Sequence, residues 1–179
     1  MAFRDLKLSV GVMKPVETGC RVKRGALIPT DALLLMEAAS STDPLDIVNP
    51  YRFRAALASN IAARIERKRI NLSKIQNAFK TIAANHDVTL VEGAGGILSP
   101  ITDAMSNADL AQLLGLSVII VVPSRLGAIN QALLAIEAAR SRGLVVAAVV
   151  LNGLGGQVAM RYNRAEIKRL GAVRVVEAG

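Results

Sequence analysis

The chain has 179 residues, 52% of them hydrophobic but only 3% aromatic, with a formal net charge of +8. That length buries a real core, and the core must be aliphatic, which suits parallel strands covered by helices. A single cysteine, Cys20, and a single histidine, His86, exclude an intrachain disulfide, a cysteine zinc cluster and His-pair metal motifs. No apolar run reaches the roughly 18 residues a bilayer span needs. The expectation is a cytoplasmic protein without a membrane partner.

In chain order, Phe3–Leu6 reads as the tail of a helix running into a first strand, Leu8–Met13. A helix opens near Asp31 and continues through Ala32–Ala39. Much of the positive charge falls between Arg52 and Lys74, including Arg64, Arg67, Lys68 and Arg69, with Tyr51 and Phe53 nearby. The stretch fits a solvated helix end best, steering of an anionic ligand next, and nucleic acid last.

Ile75, Ala78, Phe79, Ile82 and Ala83 follow i, i+3, i+4 spacing and predict one apolar helix face. His86, in Asn85-His86-Asp87, reads as a solvated loop residue. Strands follow at Val88–Val91, Val118–Val122 and Val145–Leu151, with helices over Ala128–Arg142 and Gln157–Leu170 between and after the last two. Arg174–Val176 is a final strand candidate. The alternation predicts an α/β fold with a mostly parallel sheet in one domain.

In such sheets ligands bind at the carboxyl ends of the strands. The first strand is followed by Lys14-Pro15-Val16-Glu17-Thr18-Gly19 and the second by Glu92-Gly93-Ala94-Gly95-Gly96. The third is followed by Pro123-Ser124-Arg125-Leu126-Gly127-Ala128-Ile129-Asn130, and the fourth by Asn152-Gly153.

Lys14 offers a compact cation for phosphate oxygens, or a plain surface charge. Glu92, at the end of what reads as a buried parallel strand, can ligate Mg²⁺ directly or through water. Gly93, Gly95 and Gly96 let backbone N–H groups approach an anion. Asp31 is a second carboxylate for a metal, a dipole-favoured first-turn residue, or an N-cap. Asn152 carries both a donor and an acceptor for a heterocycle edge. Cys20 reads as a small buried residue.

The ordered set K-P-V-E-T-G (14–19), T-D-A-L (30–33), V-N-P-Y (48–51), V-E-G-A-G-G (91–96), S-R-L-G-A-I-N (124–130) and L-N-G (151–153) resembles the dethiobiotin synthase family. The resemblance implies a P-loop NTPase-like three-layer fold and a homodimer. It also implies a ligase reaction of biotin biosynthesis. In that reaction 7,8-diaminononanoate takes up CO₂ (or bicarbonate) as a carbamate, ATP phosphorylates the carbamate, and ring closure gives dethiobiotin.

By residue, the resemblance makes Lys14 the catalytic lysine that stabilises phosphate and carbamate charge. It makes Asp31 and Glu92 the Mg²⁺ ligands, with Glu92 also at the nucleotide phosphates. Asn152 becomes the adenine reader. Thr18, Gly95, Gly96 and Asn130 become substrate-binding residues, the last three partly across the dimer interface.

The sequence departs from the family pattern in two places. No Gly-Lys dipeptide occurs anywhere, so a G-x-x-x-x-G-K-T phosphate loop is not encoded. The chain is expected to be a shortened member, lacking the first strand and phosphate loop and also ending early. It is expected to be poorly soluble or partly molten. At Ala55–Asn60 the chain reads A-A-L-A-S-N where the family commonly carries prolines, which predicts a looser substrate-side loop. Two other readings stay open at this point. One is a non-catalytic remnant that dimerises or binds ligand; the other is a regulatory ATPase of the partitioning type.

Overall fold

The computed structural model describes residues 6–153 and 160–178. The helix tail expected over Phe3–Leu6 lies almost wholly outside these residues. Nine strands and seven helices are described. The chain divides into two compact units, Met1–Asn107 and Ala108–Gly179.

In the first unit, β1 (Val10–Met13) pairs in parallel with a later strand, β6 (Val88–Val91), in the register Val10↔Val88 to Met13↔Val91. Period-2 alternation gives β1 two working faces. Val10 and Val12 pack against Ala32 and Val48, with Leu35, Met36, Ala39 and Leu45 around them. These residues belong to α1 (Thr30–Ala39) and α2 (Leu45–Val48).

Gly11 points the other way, to α4 (Leu72–Asn85). A Cβ there would lie 2.4 Å from Ile82 Cγ2 and 2.8 Å from His86 Cδ2. Glycine is what lets strand and helix approach this closely. The first unit is therefore layered helix, strand, helix about β1.

α4 forms where the sequence expects it. Ile75 and Ile82, seven apart and fully buried, anchor its apolar face. Asn71 caps it, its Oδ1 accepting from Ser73 N at 2.9 Å. At the start of α1, Asp31 is the dipole-favoured first-turn residue and not the N-cap. Pro29 holds the N-cap position without a side-chain hydrogen bond, and Asp31 sits inside the first turn.

The expected burial of the strand before Glu92 is only partly met. β6 is half-buried and Leu90 is 39% exposed.

Short elements that periodicity cannot resolve fill the region between. β2 (Val16–Glu17) pairs in parallel with β5 (Tyr51–Arg52), and β3 (Arg21–Lys23) forms an antiparallel hairpin with β4 (Ala26–Ile28). α3 (Ser59–Ile65) follows the 53–58 segment. Of the Ala55–Asn60 stretch expected to be looser, Ala55 is tied at its backbone, and Ser59 and Asn60 already belong to α3. Ala55 O accepts from Gly19 N at 3.1 Å, and Glu66 Oε1 accepts from the amides of Arg54 and Ala55 at 2.6 and 3.1 Å.

Two of the cations nearby are paired with acids of this unit. Arg64 meets Asp103 at 2.8 Å and Lys68 meets Glu66 at 2.9 Å. Lys68 and Lys74 also stand 5.4 and 5.1 Å from the ring centroids of Phe53 and Tyr51. His86 departs from its solvated expectation. Its Nε2 lies 2.9 Å from Asp43 Oδ2, and its side chain is only 17% exposed.

α5 (Asn107–Leu113) opens on the last residue of the first unit, and the second unit holds a parallel sheet of order β7-β8-β9, comprising Val118–Pro123, Val146–Asn152 and Val175–Ala178. The expected last strand near Arg174–Val176 is thus present, one residue later. α6 (Ala128–Arg140) and α7 (Met160–Gly171) cover one face of this sheet. There Ile120, Val122, Ala132, Ile136, Val149, Leu151, Ile167 and Val175 form a continuous core. The alternate residues Ile119 and Val121 remain 53% and 61% exposed. The start of the predicted Gln157–Leu170 helix lies outside the described residues. No helix among the described residues is long and apolar enough to cross a membrane.

Candidate active site

Parallel pairing of β1 and β6 brings the residues that follow them to one edge. Glu92 N donates to Met13 O at 2.8 Å, which extends the ladder by one bond and seats Glu92 beside Lys14. The Lys14 ammonium then donates to Glu92 Oε1 at 2.5 Å and lies 3.0 Å from Asp31 Oδ2. The lysine side chain is 5% exposed, whereas Asp31 and Glu92 are 54% and 48% exposed. A buried cation therefore sits beneath two carboxylates that open to solvent.

Burial alone would lower the Lys14 pKa. The hydrogen bonds and negative charges of Glu92 and Asp31 outweigh it and hold the value above the ordinary 10.5. The ammonium is charged at neutral pH.

Two buried polar residues hold this arrangement, and sequence reasoning singled out neither. Asn49 is fully buried. Its Nδ2 donates to Lys14 O at 2.6 Å and to Tyr51 O at 3.4 Å, while its Oδ1 accepts from Arg52 Nε at 3.0 Å. Lys14 N in turn donates to Val48 O at 2.8 Å. Glu17, 4% exposed, accepts from Asp31 N at 3.0 Å and from Ala32 N at 2.9 Å. Both residues lie inside quoted motifs, V-N-P-Y and K-P-V-E-T-G. The available signal was a polar side chain next to a valine, with no hint of its partner.

The remaining expected residues of this unit surround the trio in sequence. Thr18 is half-buried just after β2, and Gly19 follows it at φ +76°. The glycine turn after Glu92 is braced from within. Gly95 has φ +80°, and a Cβ there would lie 2.6 Å from Ser99 Oγ. That same hydroxyl accepts from Gly96 N at 2.9 Å. Asn107 Nδ2 donates to Ala94 O and Gly96 O at 2.9 and 2.8 Å. Cys20 is buried, and burial pushes its thiol pKa up, so it is not a ready nucleophile.

In the second unit, Asn152 ends β8 in register with Pro123 and Ala178, and its side is exposed. Ser124 N donates to Asn152 O at 2.9 Å, joining the ends of β7 and β8. Asn130 is exposed in the first turn of α6, which opens at Gly127 (φ +95°). The structure thus brings Lys14, Asp31 and Glu92 together in one unit and places Asn130 and Asn152 in the other.

The profile of a family described as an AAA domain matches residues 2–178. An ATP-dependent dethiobiotin synthetase BioD of Anaeromyxobacter sp. (strain Fw109-5) is 43% identical over 160 residues, covering 88% of this chain and 70% of the relative. The chain belongs to the dethiobiotin synthetase family. A second member, from Anaeromyxobacter dehalogenans (strain 2CP-1), is 41% identical over 171 residues, 94% of this chain and 75% of its own length. Among solved structures, the MinC:MinD cell division protein complex of Aquifex aeolicus aligns with 97% of this chain and 69% of its own. Its TM-score is 0.54 at 17% identity. At that identity the likeness speaks for a shared P-loop NTPase-like fold, which the dethiobiotin synthetase chain displays as parallel strands flanked by helices.

Proposed function

We propose that this dethiobiotin synthetase family member acts in biotin biosynthesis, using ATP to convert 7,8-diaminononanoate and CO₂ into dethiobiotin. The observation that carries the reading is the Lys14 ammonium held between Glu92 and Asp31, in a family whose named relatives are ATP-dependent synthetases of that product.

In the reaction, one amine nitrogen bonds to CO₂ and loses a proton, giving a carbamate. A carbamate oxygen takes the γ-phosphoryl group of ATP, and ADP leaves. The second amine then attacks the carbonyl carbon, loses a proton and expels phosphate, closing the ureido ring.

Each step gathers negative charge on oxygen. Lys14, buried and charged at neutral pH, is placed to stabilise it without reorganising. Its two carboxylate partners keep the ammonium oriented.

Asp31 and Glu92 also fit Mg²⁺ in chemistry. Both are solvent-facing oxygen donors, each with one oxygen already on a shared cation. Among the described residues no group of three or more His, Cys, Asp or Glu side chains could hold a metal. Two carboxylates together with phosphate oxygens and water are nonetheless the usual Mg²⁺ set. When bound, the ion would neutralise phosphate charge. Thr18, Gly95, Gly96 and Asn130 are proposed to contact the diamine, Asn152 to read adenine, and the active form to be a cytoplasmic homodimer.

The test is growth without biotin of a strain lacking its own dethiobiotin synthetase, supplied with this gene as the cell encodes it. Growth, together with dethiobiotin and ADP formed by the purified product, is expected. Failure of a stably produced protein to support growth, while added dethiobiotin does, would overturn the reading. Glu92→Gln should remove growth.

A further inference from the structure

The first turn of α1 lacks the side-chain cap that a helix start normally has. The residue at the N-cap ordinarily accepts a hydrogen bond from the second or third helical amide. Pro29 occupies that position and has no acceptor on its side chain. The second and third amides belong to Asp31 and Ala32, and both donate to one carboxylate from a different element. Glu17 Oε1 takes Asp31 N at 3.0 Å and Glu17 Oε2 takes Ala32 N at 2.9 Å.

Glu17 is itself held in β2, where its carbonyl accepts from Phe53 N at 2.9 Å. It is buried, with both carboxylate oxygens committed to α1 amides. The carboxylate also lies at the positive end of the α1 dipole, which supports its charge.

The consequence reaches the site. Asp31 is the residue whose own amide is gripped, and its side chain lies on the Lys14 ammonium at 3.0 Å. Lys14 precedes Glu17 by three residues on the same backbone. One short segment therefore carries both the cation and the fork that delivers the acidic partner to it.

We propose that Glu17 is a positioning residue that sets Asp31 against Lys14 by clamping the first turn of α1 from strand β2. The inference rests on the proposed role of Asp31 at the phosphate and metal site. A carboxylate is required because both amides need an acceptor. Glutamine offers one acceptor and turns its NH₂ toward the other N–H, leaving a buried donor unmatched.

Mn²⁺ binding, followed by water-proton relaxation with ATP present and the diamine withheld, reads metal affinity without turnover. Glu17→Gln and Asp31→Asn are each expected to weaken it about tenfold or more, as loss of a supporting residue at a metal site does. The double variant should be no weaker than Asp31→Asn alone, because Glu17 acts through Asp31. Additive losses, or wild-type Mn²⁺ affinity in a Glu17→Gln protein that is merely less heat-stable, would overturn the proposal and leave Glu17 a helix cap.

Two measurements separate this proposal from the metal reading beneath it. If Asp31→Asn and Glu92→Gln both bind Mn²⁺ normally, the metal assignment fails. The crystal structure of Glu17→Gln then decides the positioning claim by whether Asp31 has left Lys14. Should Glu17→Gln not fold, Glu17→Asp keeps the charge one methylene short and is expected to weaken Mn²⁺ by a smaller factor. In the unaltered protein, slow hydrogen exchange at the Asp31 and Ala32 amides is expected, and fast exchange at both would count against the clamp.

Discussion

Lys14 and Glu92 are 78 residues apart in sequence, and their side chains meet at 2.5 Å. The parallel register Met13↔Val91 creates the meeting, because it puts the next residue of each strand on the same edge. Asp31 joins from the first turn of α1, so one cation serves two acids.

Removing the cation should disable the site more than the fold. Lys14→Met leaves two half-exposed carboxylates facing each other without their shared partner. Turnover is expected to fall by about 10²–10³-fold, the scale of losing one preorganised charge donor in a transition state. Lys14→Arg should not rescue it, since a planar guanidinium does not reproduce the point charge set between Glu92 and Asp31. Steady-state rates of dethiobiotin formation in both variants check this.

The same pair predicts an alkaline limit. Lys14 has a folded-state pKa raised above 10.5. Its contribution to stability is therefore complete below that value and is lost as pH rises through the higher folded value. The urea midpoint should show this alkaline decline in the wild type, and the Lys14-linked part of it should vanish in Lys14→Met.

Glu66 predicts the opposite limb. Burial would raise its pKa. The Lys68 ammonium and the amides of Ala55 and Arg54 outweigh that and hold it below the ordinary 4.5. Its contribution is present above 4.5 and is lost as pH falls through the lower folded value. Glu66→Gln should therefore lose stability at neutral pH and show a shallower acid decline, read from urea midpoints between pH 3 and 7. Its diamine KM should also rise, because the 54–55 backbone that Glu66 holds is bonded to Gly19, next to Thr18.

Asn49→Ala should cost about 1–3 kcal/mol, because it strips a buried Lys14 carbonyl of its side-chain donor. Chemical denaturation measures that loss. A fall in turnover larger than the fall in folded fraction is expected as well, since the same bond fixes the Lys14 backbone.

Gly11→Ala and Gly95→Ala separate fold from site. At Gly11 a methyl meets Ile82 and His86 in the core. About 1–3 kcal/mol of stability should be lost, with little change in KM for the protein that remains folded. At Gly95 the methyl meets Ser99 Oγ on an exposed turn, at a φ that L-residues disfavour. The expected effect there is on KM, with a smaller shift in melting temperature.

Local pattern carried much of this protein. Aliphatic runs of strand length and the Ile75–Ile82 spacing determined the main parallel strands and α4. The order of short motifs determined the family and directed attention to Lys14, Asp31 and Glu92. These are signals that neighbouring residues create, so a single sequence contains them.

What the sequence did not contain was pairing across distance. Two-residue strands such as β2 and β5 have no period to detect. His86 looks solvated until Asp43, 43 residues away, is placed beside it. Asp31 reads as a first-turn residue or as a cap until Pro29 takes the cap position and Glu17 supplies the acceptor. Buried polar groups must be satisfied, but which partner satisfies them depends on the packing of β1, β2 and α1. Only the tertiary structure decided that.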